Sequence, residues 1–230
     1  MQEGETEETR KFNARFFAGV PNIPNKDKEQ MSIYLLFIQH IVSSLNSKGK
    51  AAVVVPTGFL TEGKGKPNNI ANKIRMLLVD KKWLRAVVSM PGNIFANTPT
   101  SVSIIFIDKS TITDQIVLVD AAKLGKKVKE DNNQKTLLSF DEEQQIIDAV
   151  NNNTSKEGFS VVKTFNEIES GKYSFNPGAY FDMVTEYIDI TKDEFTEQIQ
   201  VSKTRLVEMF KKGKDLDKEI LHGLEDLSLE

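Results

Sequence analysis

The sequence predicts an α/β fold built on a partly parallel sheet. Three short apolar runs are rich in β-branched residues and bounded by proline, glycine, asparagine or charge, as is typical of buried strands; they span residues 51–55, 84–90 and 102–107. Between the first two runs, apolar residues recur at helical spacings of three and four: Ile70, Ile74, Leu77 and Leu78. A strand, a helix and a second strand in this order imply a right-handed parallel crossover.

Proline follows the first two predicted strands, at Pro56 and Pro91. Because proline cannot extend a hydrogen-bonded ladder, the chain is expected to leave the sheet at both positions. These are the carboxyl ends of two parallel strands, where open α/β sheets bind their ligands. The sequence therefore places function in the two loops that begin there.

Composition excludes several kinds of site. The 230 residues contain no cysteine and only two histidines, so disulfides, thiolate metal sites and a cysteine nucleophile are excluded, and no metal site is expected. The apolar run 33–38 is far shorter than the ~20 residues of a membrane span, and the N-terminus lacks a signal-peptide pattern. We therefore expect a cytoplasmic protein.

The net charge of −3 equals the charge of the first ten residues, which contain four glutamates and one arginine. The remaining chain is thus neutral. Neutrality argues against a free-standing nucleic-acid binder, but it is compatible with a subunit that touches DNA beside other, basic subunits.

The chain before the first strand is predicted to hold one helix. Residues 1–15 are expected to be a disordered acidic lead. A helix follows over residues 28–46, with Asp27 as its N-cap. His40 is expected on the apolar face of this helix, where a half-buried structural histidine is favoured over a catalytic one.

The segment after the first strand, from Gly58 to Gly65, nearly matches the phosphate-binding pattern G-x-x-x-x-G-K-[ST]. Gly65 stands where a hydroxyl should bind magnesium, and Pro67 delays the helix that should begin at once. A mobile surface loop is therefore favoured over a nucleotide-hydrolysing site.

The loop after the second strand, residues 91–100, is more informative. Asn97 and Thr98 can hydrogen-bond the edge of a planar base, while Phe95 can stack on its face. Without further evidence, a Gly/Pro turn with Phe95 packed inward is the favoured interpretation.

Residues 111–190 are expected to form a small α/β extension after the chain leaves the first sheet. Its predicted elements are a strand at 115–120, a basic loop at 119–129, a helix at 140–150, a strand at 159–163, a helix at 164–170 and an aromatic segment at 173–181 that packs back on the domain. Ser139 and Glu142 form a capping box for the first of these helices. Four lysines within 123–129 are interpreted as a solvated turn, with phosphate binding as the alternative.

Residues 191–230 are predicted to form a long polar helix opened by a capping box of Thr191 and Glu194. Positions spaced alternately by four and three residues form a defective coiled-coil seam: Phe195, Ile199, Ser202, Leu206, Met209, Gly213, Leu216, Ile220, Gly223 and Leu227. Its seven large apolar members are expected to dock on another chain. Packing within the chain is the alternative, because the two glycines can also mark helix breaks.

From about residue 16 onward, the sequence resembles the modification (M) subunit of type I restriction-modification enzymes, an adenine DNA methyltransferase that uses S-adenosylmethionine. The matching segments, in order and correctly spaced, are 15–21 (RFFAGVP), Gln39-His40 with Leu45, 51–60 (AAVVVPTGFL), Ile74-Arg75, 86–95 (AVVSMPGNIF) and 97–100 (NTPT).

The resemblance implies that residues 16–110 are the later half of a Rossmann-like methyltransferase sheet, with the strand at 102–107 inserted antiparallel between the other two. Such enzymes flip the target base out of the helix. Phe95 would stack on the adenine, with Asn97, Thr98 and Pro99 completing the base wall. Three further residues would form the adjoining edge loop: Pro56, Thr57 and Gly58. The C-terminal helix is similar to one that docks on the coiled coil of the specificity (S) subunit.

One departure from the family bears on activity. The acidic, glycine-rich cofactor loop and the Asn-Pro-Pro-aromatic motif would lie upstream of Phe16, and this sequence has neither. We therefore expect the carboxy-terminal part of a modification subunit, inactive and without S-adenosylmethionine by itself. The implied partners are the missing N-terminal half, the specificity subunit, the restriction (R) subunit and double-stranded DNA. A non-catalytic module that binds a partner through the C-terminal helix is the alternative.

Overall fold

The computed structural model describes residues 12, 14–22, 26, 31–95, 100–130, 133–181 and 191–225. Contacts group the chain into two units, residues 1–182 and 183–230. The helices are α1 (Tyr34–Ser44), α2 (Ile70–Asp80), α3 (Phe140–Asn152), α4 (Phe165–Ser170) and α5 (Lys192–Glu225). The strands are β1 (Lys50–Pro56), β2 (Leu84–Ser89), β3 (Val102–Asp108), β4 (Gln115–Asp120), β5 (Lys126–Glu130), β6 (Asn133–Leu137) and β7 (Ser160–Thr164).

Five strands form one mixed sheet in the order β1-β3-β2-β4-β7. Strand β3 runs antiparallel to both β1 and β2, which are therefore parallel to each other, as predicted from the crossover through α2. Strand β4 is parallel to β2, and β7 is antiparallel to β4. The predicted α/β class, with an antiparallel strand inserted between two parallel ones, is confirmed.

The sequence led us to expect that the chain leaves this sheet after residue 110. Instead, it continues in the same sheet. Strand β4 pairs with β2 and is buried on both faces from Ile116 to Val119, which is the pattern of a central strand. The expected basic loop at 119–129 is also different: from Lys126 onward it forms a hairpin of β5 and β6.

Helices cover both faces of the sheet. Side chains of α1, α2 and α4 pack with one face in a core that includes Ile74, Ile105 and Phe175. Helix α3 covers the other face over β2 and β4, in a smaller core that includes Val88 and Ala149. This is the three-layered arrangement, with helices on both faces of the sheet, that is typical of α/β folds.

Helix α1 is shorter than predicted and turned differently. It begins at Tyr34, and the expected cap Asp27 lies outside the described residues. The buried positions of α1 follow the helical spacing of one face: Leu35, Ile38, Gln39 and Val42. His40, which was expected to be half-buried, is exposed. The burial of Gln39 explains why this face is turned inward. Its side-chain amide accepts a hydrogen bond from Ala18 N (2.8 Å) and donates one to Gly19 O (3.0 Å), which holds the segment before α1 against the helix.

Helix α5 forms most of the second unit. Its capping box is present, with Thr191 N donating to Glu194 Oε2 (2.8 Å) and Glu194 N to Thr191 Oγ1 (3.2 Å). Gly213 and Gly223 lie within the helix and do not end it. Among the helices of the described residues, none is long and apolar enough to cross a membrane.

Candidate functional site

The two proline loops meet at one edge of the sheet. The carboxyl ends of β1 and β2 flank the amino end of β3, with Pro56 paired to Val102 and Ser89 to Ser103. Beyond the strands, Thr57 N donates to Ser101 O (3.1 Å), and Met90 N donates to Val102 O (3.0 Å). Both loops are therefore held against the start of β3, and the two strands end at the same edge of the sheet, as the sequence predicted.

The first loop turns into a 3-10 helix, Thr57–Leu60. Phe59 and Leu60 are buried, while Pro56 and Gly58 are exposed and Thr57 is half-buried. The Thr57 hydroxyl lies 3.1 Å from the Ser103 hydroxyl, which links the loop to β3 through side chains as well. The loop is therefore held in the core by Phe59 and Leu60, while the three residues before them are accessible to solvent.

The segment that resembled a phosphate-binding loop is a chain of hydrogen-bonded turns. Glu62 N donates to Gly58 O (2.8 Å), and Lys66 N donates to Gly63 O (2.8 Å). Helix α2 begins only at Ile70 and is capped by the Asn69 side chain, which accepts from Asn72 N (3.0 Å). The N-terminus of α2 is therefore already capped by protein, which differs from a phosphate cradle. Residues 61–66 are mostly exposed, as expected of a surface loop.

Arg75 holds these turns in place, and sequence reasoning missed it. Its side chain is fully buried (0 % exposed). The guanidinium donates to Tyr173 O (2.8 Å), Glu62 O (2.7 Å), Asn72 Oδ1 (3.0 Å) and Phe59 O. It therefore ties the turn after β1 to α2 and to the aromatic segment that follows α4.

The electrostatics of Arg75 follow from its burial. Desolvation, opposed by the carboxylate of Glu62, lowers the pKa of Arg75 to about 10, so the guanidinium stays charged near neutral pH. The rings of Phe59 and Phe175 lie 5.6 Å and 6.0 Å from it, where their faces attract a cation. A signal was present in the sequence, because position 75 falls on the buried face of α2 with Ile74 and Leu78.

Phe95 is an exposed residue of the second loop. Pro91 is buried and the next three residues are half-buried, with Asn93 in a left-handed conformation (φ 57°). Phe95 keeps 48 % of its surface exposed, which differs from the inward packing favoured by the sequence. The other candidate base contacts, Asn97, Thr98 and Pro99, lie outside the described residues.

The hairpin of β5 and β6 supports this second loop, another feature that sequence reasoning missed. Thr136 N donates to Asn93 O (2.9 Å) and Thr136 Oγ1 donates to Gly92 O (2.7 Å). At the base of the hairpin, Gly125 has a positive φ (84°), and a Cβ there would lie 2.6 Å from Thr136 Cγ2. Gly125 N also donates to Glu142 Oε1 (2.8 Å) in the capping box of α3. The hairpin is thus fastened both to the loop and to a helix.

The edge offers binding groups rather than a metal centre. Among the described residues, no cluster of three or more acidic or histidine side chains could hold a metal ion. The nearby Asp120, at the end of β4, caps a turn by accepting from Ala122 N (3.0 Å). What remains is an exposed ring, hydroxyls and backbone groups, a set suited to a planar, uncharged ligand.

Comparisons with known proteins point to one family. The family model described as N-6 DNA Methylase matches residues 2–188. The chain is 28 % identical over 198 residues to the methylase subunit of type I restriction enzyme MpnII from Mycoplasma pneumoniae, covering 85 % of this chain and 33 % of that protein. It is 39 % identical over 80 residues to the StySJI methylase subunit from Salmonella typhimurium, covering 35 % of this chain and 14 % of that protein.

A solved structure shares the fold. The crystal structure of the type I restriction-modification system methyltransferase subunit from Streptococcus thermophilus superposes with a TM-score of 0.57 at 25 % identity. The similarity covers 65 % of this chain and 30 % of that one. The chain spans about a third of the length of the curated relatives that it matches over most of its residues.

Proposed function

The chain belongs to the N-6 DNA methylase family, and we propose that it forms the target-base side of the site in a type I restriction-modification adenine methyltransferase. The observation that carries this proposal is the meeting of two loops at the edge of β1, β3 and β2, where Phe95 presents a half-exposed ring.

Phe95 would act as the platform for a flipped adenine. A base leaving the DNA helix loses its stacking, and an aromatic side chain in the enzyme replaces part of that loss. The loop before Phe95 is fixed by the bonds from Thr136 to Gly92 and Asn93, which favours one orientation of the base. Asn97, Thr98 and Pro99 remain proposed contacts of the base, and Pro56, Thr57 and Gly58 the proposed rim.

The residues present do not fit S-adenosylmethionine. The 230 residues contain neither an acidic, glycine-rich cofactor loop after a strand nor an Asn-Pro-Pro-aromatic motif. We therefore assign cofactor binding and the acceptors for the adenine amino group to another part of the methylase subunit, and no methylation to this chain by itself. The state of β1 supports this division, because among the described residues its only strand partner is β3 and Val54 is 50 % exposed.

Helix α5 would supply a second role, docking on a helix of the specificity subunit. Its apolar seam is exposed over the helix, for example at Phe195, Leu206 and Ile220. A helix of 34 residues is about 50 Å long, and such a seam is typical of a coiled-coil partner. Assembly with the restriction subunit and with double-stranded DNA would follow from that docking.

A complementation experiment tests the base-side proposal. The chain is combined with a methylase segment that carries the cofactor loop and the Asn-Pro-Pro-aromatic motif, and with the specificity subunit; adenine methylation is measured with labelled cofactor. We expect activity only in the combination. In it, Phe95→Ala should lower the rate by about 5- to 150-fold, because stacking on one base contributes ~1–3 kcal/mol.

The control for this experiment is Phe95→Tyr, which keeps an aromatic face and should keep most of the activity. An undiminished rate with Phe95→Ala would show that another residue stacks on the base. Methylation by the 230-residue chain alone would overturn the assignment of cofactor binding to another segment.

A further inference from the structure

The β5–β6 hairpin has two chemically different faces. Residues that stand directly opposite each other in an antiparallel pair have side chains on the same face. Lys127 is opposite Thr136, and Lys129 is opposite Gln134. Lys126 is opposite Leu137 and Lys135 opposite Val128, so these two lysines lie on the other face.

Thr136 shows which face adjoins the candidate site. Its hydroxyl donates to Gly92 O (2.7 Å) in the loop that leads to Phe95, and its side chain is only 3 % exposed. Lys127 and Lys129 share that face and are exposed. Within the described part of the chain, neither lysine makes a salt bridge. Lys127 and Lys129 therefore lie on the face of the hairpin that adjoins the loop before Phe95.

We propose that Lys127 and Lys129 bind backbone phosphates of the duplex DNA next to the adenine that Phe95 receives, an inference that rests on the proposed function. Alternate residues of a strand are about 7 Å apart, which suits contacts to successive phosphates of one DNA strand. Lysine is a compact point charge that binds phosphate without demanding one geometry. Such contacts position a protein on DNA and carry no sequence information.

The attachment of the hairpin makes these contacts useful for positioning. Gly125, which precedes the first strand of the hairpin, donates its N–H to Glu142 Oε1 (2.8 Å), and Thr136 in the second strand bonds to the loop before Phe95. A phosphate held by Lys127 would therefore be held at a set distance from Phe95. The charge of the whole chain cannot replace this local contact, because beyond the first ten residues the chain is neutral.

The test measures binding of the 230-residue chain to a fluorescein-labelled 20-base-pair duplex by anisotropy, from 50 to 300 mM KCl. Each lysine–phosphate contact contributes about 0.9 to the slope of log K against log salt concentration. The double variant Lys127→Ala/Lys129→Ala should therefore reduce the slope by about 2. Because this counterion-release contribution vanishes near ~1 M salt, the same slope corresponds to a roughly 200-fold weaker binding at 50 mM KCl. Lys127→Arg/Lys129→Arg should retain both values.

The matched control is Lys126→Ala/Lys135→Ala, which removes the same two charges from the opposite face and should leave the slope unchanged. Circular dichroism checks that all variants fold. Equal losses in both double alanine variants would reveal a general charge effect and overturn the proposal. It would also be overturned if the wild-type chain showed no salt-dependent binding, or if the first variant bound like wild type, in which case the lysines serve another partner.

Failure of this inference is distinguishable from failure of the proposed function. The lysine variants are read by duplex affinity, whereas Phe95→Ala is read by methylation in the complemented enzyme. A lysine effect without any effect of Phe95 would retain the DNA contact and reject the base platform. The reverse result would retain the platform and reject the phosphate contact.

Discussion

At the scale of single residues, Arg75 shows how one buried charge can organise the turn at one edge of the sheet. Its donors serve backbone oxygens of Phe59, Glu62 and Tyr173, which come from the turn after β1 and from the aromatic segment after α4. Leaving buried carbonyl groups without donors costs ~1–3 kcal/mol each. Burial of the guanidinium itself opposes this gain, as the lowered pKa of about 10 shows. The net effect is specificity for one arrangement of the turn after β1.

We therefore expect Arg75→Met to lower the free energy of unfolding by about 3–5 kcal/mol, because it leaves several buried carbonyl groups without donors, each costing ~1–3 kcal/mol, while relieving the burial of a charge. Urea unfolding of the full chain, followed by tryptophan fluorescence, measures it; the single tryptophan is Trp83. Arg75→Lys keeps the charge but cannot serve all acceptors at once, so it should fall between wild type and Arg75→Met. A loss below about 1 kcal/mol for Arg75→Met would show that water replaces the guanidinium.

Residue-level prediction from the sequence succeeded where a residue type has one structural meaning. Pro56 and Pro91 marked the ends of two strands at the same edge, as expected. The role of Arg75 could not be derived in the same way, because its acceptors are backbone oxygens, and Tyr173 lies 98 residues further along the chain. Pairing over such a distance leaves no local pattern. The prediction that Phe95 packs inward was wrong, because its burial depends on spatial neighbours that the local sequence does not specify.

At the scale of elements, the starts of α3, α4 and α5 are set by reciprocal capping boxes. In α4, Glu167 Oε2 accepts from Thr164 N (2.8 Å), while Thr164 Oγ1 accepts from Glu167 N (3.3 Å). The same arrangement joins Ser139 to Glu142 at α3. These bonds satisfy amide groups that a helix leaves without partners at its first turn.

The capping box of α4 predicts a pH dependence. Hydrogen bonds from Thr164 N, Lys163 and the Thr164 hydroxyl lower the pKa of Glu167 to about 2. A carboxyl whose pKa is lowered by folding stabilises the protein above its unfolded pKa, and this stabilisation is lost as pH falls through the folded value. Its contribution should therefore disappear between about pH 4.5 and pH 2.

The wild-type chain should lose free energy of unfolding between pH 5 and pH 3 as Glu167 is protonated, and Glu167→Gln should lose less. The difference should be no more than about 1 kcal/mol, because the carboxylate is half-exposed. Urea titrations at both pH values measure the difference. The matched control is Glu157→Gln, at an exposed position in the turn before β7, which should follow wild type. Parallel behaviour of both variants would remove the capping box as the cause.

Elements with a strong local pattern were predictable, and those specified by distant partners were not. Apolar runs gave β1, β2 and β3, and capping boxes gave the starts of α3 and α5 within a residue. The position of β4 in the sheet depends on its pairing with β2, which lies far away in sequence. The strands that follow β4 in the chain, β5 and β6, are short and contain few apolar residues. A polar hairpin depends on cross-strand pairing and on anchors such as Thr136, so its lysines resembled a solvated loop.

At the scale of the whole molecule, the sheet and the long helix offer two unsatisfied surfaces. Strand β1 presents one edge that no described strand pairs with, and exposed edges in sheets readily accept another strand. A methylase segment that supplies the next strand would satisfy it and complete the sheet. The part of the fold proposed to bind the base and the part proposed to bind the cofactor would then meet at the carboxyl ends of the strands.

The docking proposal for α5 makes the last prediction. Large apolar side chains remain exposed along the helix: Phe195, Ile199, Val201, Leu206, Val207, Met209, Phe210, Leu216, Ile220, Leu221 and Leu224. Leu227, the last residue of the predicted seam, lies outside the described residues. Leu206 belongs to the seam, whereas Thr204, two residues earlier, falls on roughly the opposite side of a helix with 3.6 residues per turn.

Leu206→Asp should weaken binding of the chain to the purified specificity subunit by at least about tenfold, because burial of a leucine contributes ~1.5–3 kcal/mol and a buried carboxylate opposes association. Isothermal titration calorimetry measures the affinity. Thr204→Asp adds the same charge within one helical turn and should bind like wild type, with equal helicity of both variants by circular dichroism. Equal weakening would reject the seam as the docking surface. If instead only self-association of the chain depended on Leu206, sedimentation velocity would show it, and the helix would join two copies of this chain rather than a specificity subunit.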